Sequence, residues 1–370
     1  MNMTTAPIRY PIGIQTFSRI RREGLVYVDK TDLVWQLAHY ATFIFLSRPR
    51  RFGKSLLTTT LASYFSGERE LFEGLKIMQL EKEWQQYPVI RLDLSMAKNQ
   101  DSPEALRDRL LLMLKPYREE YGSDPEEKTP GGMLTGLIER AYKKEYRQVV
   151  VLIDEYDAPL LDVLHENEML APMRKVMQEF YQPLKAREAM IRFCFITGIT
   201  KFSQLSIFST INNLKNITML PQFSAICGIT EHEVKTVLAD GIESMAVEYG
   251  CSAEEMFERI KARYDGYHFS EKSVDIYNPY SLLNAFTDCR LANYWFESGT
   301  PTFLIHQMQH FRTDIMSLDR MEVFSSEFDQ PTEAMQSALP LLYQSGYLTI
   351  KGYVGKQTHT RYPFPIRKCA

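Results

Sequence analysis

Through its first 220 or so residues the chain places apolar residues in short solid runs, separated by longer stretches with helical spacing. Thr42–Leu46 and Val149–Ile153 are runs of strand length, and Val89–Leu94 and Ile191–Ile196 resemble them. Solid runs, as opposed to strict alternation, describe strands covered on both faces. Between them, Ser55–Phe65 sets Leu57, Leu61, Tyr64 and Phe65 near one helical face. Pro103–Tyr121 predicts a second helix, with Ser102 as cap and Pro103 at the first position. The polar Gly122–Gly132 stretch, rich in Gly and Pro, reads as a loop. Leu134–Tyr146 and Leu170–Glu188 read as helices. Strands alternating with helices predict an α/β fold: a parallel sheet with helices on both faces.

From Thr230 the pattern turns mostly helical. Thr230-Glu231-His232-Glu233 has the form of a capping box opening a helix to about Tyr249. Ser252–Tyr264, Pro279–Thr287 and Pro301–Phe311 follow as helices. Pro331–Gln344 is predicted as a last helix, then strand-like Tyr347–Tyr353 and a short return near Arg361–Ile366. The expected organisation is a first domain over 1–226, a mostly helical lid over 227–330, and a small C-terminal piece over 331–370. That last piece reads as a helix and hairpin, winged-helix-like or truncated.

The chemistry sits at two strand ends. After Thr42–Leu46 the chain runs Ser47-Arg48-Pro49-Arg50-Arg51-Phe52-Gly53-Lys54-Ser55-Leu56 into the predicted helix. Strand, tight loop and helix in that order form the P-loop that cradles nucleotide phosphates. Against the pattern G-x-x-x-x-G-K-[ST], Arg48 stands where the first glycine belongs, and Pro49 presets one backbone angle beside it. Gly53 is expected to let the backbone approach the phosphates. Lys54 is expected to bridge phosphate oxygens and Ser55 to ligate magnesium. Arg50, Arg51, Phe52 and Leu56 complete the expected cradle with the helix N-terminus. About a hundred residues on, Val149–Ile153 ends in Asp154-Glu155. Asp154 is assigned to magnesium and Glu155 to polarising the attacking water. Thr197 or Thr200, at the tip of Ile191–Ile196, are candidates for sensing the terminal phosphate, with Lys201 beside them. Arg187 and Arg192 are the candidates for an arginine finger.

Composition narrows the setting without adding chemistry. The chain has 370 residues, 45% hydrophobic and 24% charged, with net charge −3. This excludes a global basic field for nucleic acid, although Arg48, Arg50, Arg51 and Lys54 form a local basic cluster. The apolar runs are too short to span a membrane, and Met1–Pro11 lacks the apolar core of a signal peptide. Five cysteines are scattered singly, without a Cys-x-x-Cys pair, which points to reduced thiols in a cytoplasm. His306 and His310, four apart, lack a third metal ligand. The aromatic set Tyr264, Tyr267, Phe269, Tyr277 and Tyr280 is assigned to packing. Glu233-x-Lys235 imitates half of a nuclease motif but falls in a helix.

These residues resemble the predicted bacterial AAA-ATPase-like family. The resemblance rests on Pro11-Ile12-Gly13, Tyr27-Val28-Asp29-Lys30-Thr31, the Arg48–Ser55 loop, Asp154-Glu155-Tyr156-Asp157-Ala158-Pro159-Leu160 and Phe195-Ile196-Thr197-Gly198. It extends through Tyr264-Asp265-Gly266-Tyr267, Tyr277-Asn278-Pro279-Tyr280-Ser281 and Leu342-Tyr343-Gln344-Ser345-Gly346-Tyr347-Leu348. It implies a P-loop NTPase fold of the AAA/STAND type, with ATP and magnesium as cofactors. The Arg48–Ser55 loop is itself a hallmark of that family, and Tyr27–Thr31 is expected to shape the nucleotide pocket. Members commonly continue into a PD-(D/E)XK nuclease-like domain, and the ending Pro363–Ala370 is expected to reflect truncation or a shifted frame. A protein or DNA partner is implied by that analogy alone, and an oligomer is compatible with it.

The leading expectation is magnesium-dependent ATP binding with slow hydrolysis, acting as a conformational switch. The rival is a regulatory module that holds nucleotide without turnover and docks a protein or nucleic acid. A third reading is a remnant that does neither. Nothing legible in the residues separates ATP from GTP.

Overall fold

The computed structural model describes residues 9–200, 213–270, 274–297, 302–314, 318, 322–324, 328, 335–350 and 363–368. Its centre is a parallel sheet of five strands: β1 (Phe43–Ser47), β2 (Val89–Asp93), β3 (Val149–Asp154), β4 (Ile191–Gly198) and β5 (Lys215–Asn216). The spatial order is β2-β3-β4-β1-β5. Strand β4 therefore lies between the strand feeding the loop and the strand ending in Asp154. It pairs Leu46 with Thr197 on one side and Ile153 with Ile196 on the other.

Both sheet faces are covered, as the solid apolar runs predict. Val149, Val151 and Ile153 enter one core with the helices Pro103–Tyr121, Pro130–Glu145 and Asn167–Ala186. Val150 and Leu152 enter the other, with Ile44, Leu46 and the helix Lys54–Phe65. Every residue of β1 and β3 is buried, so neither strand has a solvent face to carry polar residues.

The helix predicted over Pro103–Tyr121 has those bounds, with the Ser102 hydroxyl accepting from the Ala105 N–H at 3.1 Å. The expected loop Gly122–Gly132 ends early, because the next helix starts at Pro130. Thr129 caps it, accepting from the Gly132 N–H at 3.0 Å. A Cβ at Gly131 would lie 2.4 Å from the Glu179 carbonyl oxygen. That glycine serves close helix–helix packing, which in sequence looks the same as a loop glycine.

The capping box at Thr230 forms, with Glu233 Oε2 accepting from the Thr230 N–H at 2.8 Å. The helix it opens ends at Val237, and a second runs Ala239–Tyr249. The two are split at Leu238, which turns into the core. Apolar residues of 229–264 and 277–294 build a separate cluster that also takes in Tyr10, Val26 and Val28 from the start of the chain, whereas Tyr267, Phe269 and Ile276 join the core around the helix Lys54–Phe65. Of the predicted helix Pro331–Gln344, the described residues 335–338 are not helical and Leu339–Gln344 are. The predicted Tyr347–Tyr353 strand is described as Leu348–Ile350. It pairs antiparallel with Pro363–Lys368, which also pairs with Glu322–Phe324. Leu339–Ile350 packs into the sheet's own core rather than forming one of its own.

Candidate functional site

The loop after β1 closes with two left-handed residues, Arg51 (φ 68°) and Gly53 (φ 91°). Glycine adopts that conformation without steric cost, whereas arginine is strained there. Gly53 caps the helix Lys54–Phe65 with no side-chain acceptor for its first N–H groups. Those amides and the positive end of the helix face a cavity of about 370 Å³. Its walls include Arg50, Arg51, Gly53, Lys54, Ser55 and Leu56, with Lys98 and Glu155 across from them. Lys54 Nζ donates to the carbonyls of Arg48 and Pro49, 3.0 Å each. Burial pulls its ammonium below the usual range, against Glu155 and Asp154, which favour the charge.

The two neighbouring carboxylates differ sharply. Asp154 is buried, and burial pushes its carboxyl up to about 6. The Ser55 hydroxyl and Lys54 act in the opposite direction. Oδ1 accepts from the Glu155 N–H at 3.0 Å, while Oδ2 has no hydrogen-bond partner. A buried carboxylate oxygen left without a donor is costly unless a cation serves it. Glu155 is more open and stands at φ 48°, in the left-handed region. Burial alone would raise its carboxyl, but Lys98, Lys54 and Arg50 hold it below the usual range. Lys98 Nζ lies 2.6 Å from Glu155 Oε2.

The model of a predicted AAA-ATPase matches residues 11–208. The chain belongs to this family. It is also 36% identical over 366 residues to an uncharacterized protein in the vnfD 5' region of Azotobacter chroococcum mcd 1. That alignment takes in 96% of this chain and 67% of the relative. Family membership points to nucleotide binding at the P-loop.

Not every residue expected at the site of this predicted AAA-ATPase faces the cavity. Thr197 is fully buried, and its hydroxyl donates to the Leu46 carbonyl at 2.8 Å, between the strands β4 and β1. It is held inside the sheet, away from the cleft. Thr200 is also buried and donates to Asp157 Oδ2 at 2.7 Å. Lys201 lies outside the described residues. The Phe52 side chain is in the core, edge-on to Tyr267 and Phe269, so only its backbone is left for a phosphate. Arg48 is 1% exposed and does not join the surface basic cluster. Arg187 is paired with Glu139 at 2.6 Å, and Arg192 lies over Tyr87; neither lines the cavity.

Other residues were missed. Lys98 follows β2, at the carboxyl edge of the sheet where open α/β folds place ligands; that edge was the available signal. Tyr280 and Asn284 come from the helix Pro279–Asp288 and Gln15 from the start of the chain. Tyr280 departs from the packing role expected of its aromatic set: it lines the cavity and carries the Arg51 guanidinium 4.7 Å from its ring centre. Tyr264, Tyr267, Phe269 and Tyr277 are buried, as packing residues should be. The Tyr27–Thr31 segment borders a second, more apolar cavity of about 100 Å³, which shares Gly53 and Leu56 with the first. Within that segment Lys30 is ion-paired with Glu233 at 2.6 Å. That pairing and the capping box account for Glu233 without nuclease chemistry. His306 stacks on His165 at 4.2 Å. Among the described residues no group of three metal-ligating side chains occurs, and no helix is long and apolar enough to cross a membrane.

Proposed function

We propose that this chain is a magnesium-dependent ATP-binding switch that hydrolyses ATP slowly. The observation that carries the reading is the buried Asp154 carboxylate, whose Oδ2 has no hydrogen-bond partner and on which the Ser55 hydroxyl acts, close to a helix N-terminus that no side chain caps. Ser55 and Asp154 fit magnesium, a hard cation that takes oxygen ligands. When bound there, magnesium would neutralise charge on the phosphate oxygens. Gly53, Lys54, Ser55 and Leu56 bind the phosphates through their N–H groups, and Lys54 adds its ammonium. Arg50 and Arg51 add positive charge at the cavity wall. Glu155 orients and deprotonates the attacking water.

A second reading is favoured by one contact. Lys98 holds Glu155 in an ion pair and keeps it a poor proton acceptor. In that state nucleotide is bound and turned over little or not at all, as in a regulatory module with a protein or DNA partner. The test is titration of the purified chain with labelled ATP and GTP plus magnesium, with phosphate release followed in the same samples. Release that requires Glu155 supports the ATPase switch. Binding without release supports the regulatory module, and no binding of either nucleotide refutes both.

A further inference from the structure

Five successive loop residues, each ahead of the cavity-lining Gly53, are held by residues from the far half of the chain. The Arg48 guanidinium donates to the carbonyls of Ser47 (2.9 Å), Thr218 (2.7 Å) and Phe223 (3.2 Å), and lies 4.2 Å over the Phe269 ring. Pro49 packs on Gly346, where an added Cβ would fall 2.9 Å from the proline Cβ. The Arg50 carbonyl accepts from the Trp295 indole N–H at 3.4 Å. Arg51 covers Tyr280, and Phe52 is wedged against Tyr267 and Phe269.

The contacts beneath them are continuous. Tyr343 donates to the His268 carbonyl at 3.2 Å, and Thr349 to the Gly266 carbonyl at 2.8 Å. Trp295 packs against Tyr347 with its ring tilted by 59° and 4.7 Å between ring centres. The segment bearing Gly346 and the turn bearing Phe269 therefore form one packed body under the loop.

We infer that residues 48–52 are a coupling element through which the C-terminal half positions the phosphate-binding loop and responds to its occupancy. The inference rests on the proposed nucleotide binding and adds the route by which binding is communicated. Arg48, Trp295 and Gly346 are then positioning residues: they do not line the cavity, but set the conformation of residues that do. Arginine at the place of the first P-loop glycine follows naturally. A glycine would supply the turn but no grip on Phe269 or on the carbonyls of Thr218 and Phe223. Linkage makes the effect reciprocal. If seating Trp295 and Gly346 favours the binding conformation, bound phosphate must favour their seating by the same factor.

The test uses the full chain. Affinity for labelled ATP with magnesium is measured for Trp295→Phe, which keeps an aromatic ring and removes the N–H, and for Gly346→Ala, which pushes a methyl at Pro49. Gly250→Ala is the control. Like Gly346 (φ +90°) it has a positive φ (+61°), but nothing lies within 4 Å of the added carbon. The expected result is weakening of about fivefold or more in the two loop-facing variants, at the lower end of typical coupling energies, and none in the control. In parallel, amide hydrogen exchange over residues 339–350 should slow when ATP is added to the parent chain and stay unchanged in Lys54→Ala. If Gly346→Ala does not fold, Trp295→Phe and the exchange measurement decide. ATP binding with unchanged Trp295→Phe affinity and unchanged exchange overturns the inference alone. Failure of the parent chain to bind ATP overturns the nucleotide reading and the inference with it.

Discussion

The two halves of the loop after β1 are built on opposite principles. Residues 53–56 leave backbone N–H groups and a hydroxyl facing an open cavity. Residues 48–52 make packed contacts with distant parts of the chain through side chains and carbonyls, with Arg50 and Arg51 also reaching the cavity wall. The first half is generic, since any phosphate can use it. The second half is specific, because each contact needs a matching partner. A loop of this kind can bind phosphate and be held by its surroundings without one role displacing the other. The adjacent carboxylates repeat the division: Asp154 is buried with an unserved oxygen, whereas Glu155 is already engaged by Lys98.

The sharpest challenge to this division is Glu155→Gln. It should lower phosphate release by about 10²-fold or more, the range of a lost general base, while ATP affinity persists. Release measured beside equilibrium binding would show it, and unchanged release would remove Glu155 from the chemistry. Lys54→Ala should weaken ATP binding by roughly 10- to 100-fold, the value of a charge-assisted hydrogen bond of about 1.5–3 kcal/mol. Unchanged affinity there would dissolve the phosphate-facing half of the comparison.

Arg48→Met should act on the other half. It leaves buried carbonyls without their donor, a cost of about 1–3 kcal/mol for such a group, and should lower the melting temperature with ATP absent. A variant as stable as the parent would mean that the buried guanidinium holds nothing. The smallest effect is expected from Lys98→Met. Freed from its partner, Glu155 should become a stronger base, and turnover should rise by a few-fold; slower release would mean that Lys98 assists the reaction instead of restraining it.

Much of the sheet could be read in advance because parallel strands buried on both faces carry their own signature. Val149–Ile153 can form little else with apolar residues at every position. The helix at Pro103 was equally legible, since Ser102 and Pro103 act within one turn. The early start at Pro130 was not, because Gly131 is required by Glu179 on another helix. Thr197 shows the same limit at the site. Its place at a strand tip was visible, but its hydroxyl is used by Leu46, a neighbour that only the strand order provides.

The sequence by itself determined the parts whose physics is local: the strand–loop–helix that presents Gly53, Lys54 and Ser55, and the strand that delivers Asp154 and Glu155. Only the tertiary structure decided that Lys98 pairs with Glu155, that Tyr280 and Asn284 wall the cavity, and that Arg48 is buried as an internal anchor. The physical reason is separation along the chain. Trp295 meets a loop residue 245 positions before it, and no periodicity or spacing rule spans that distance. Such contacts exist only once packing has brought the two halves together.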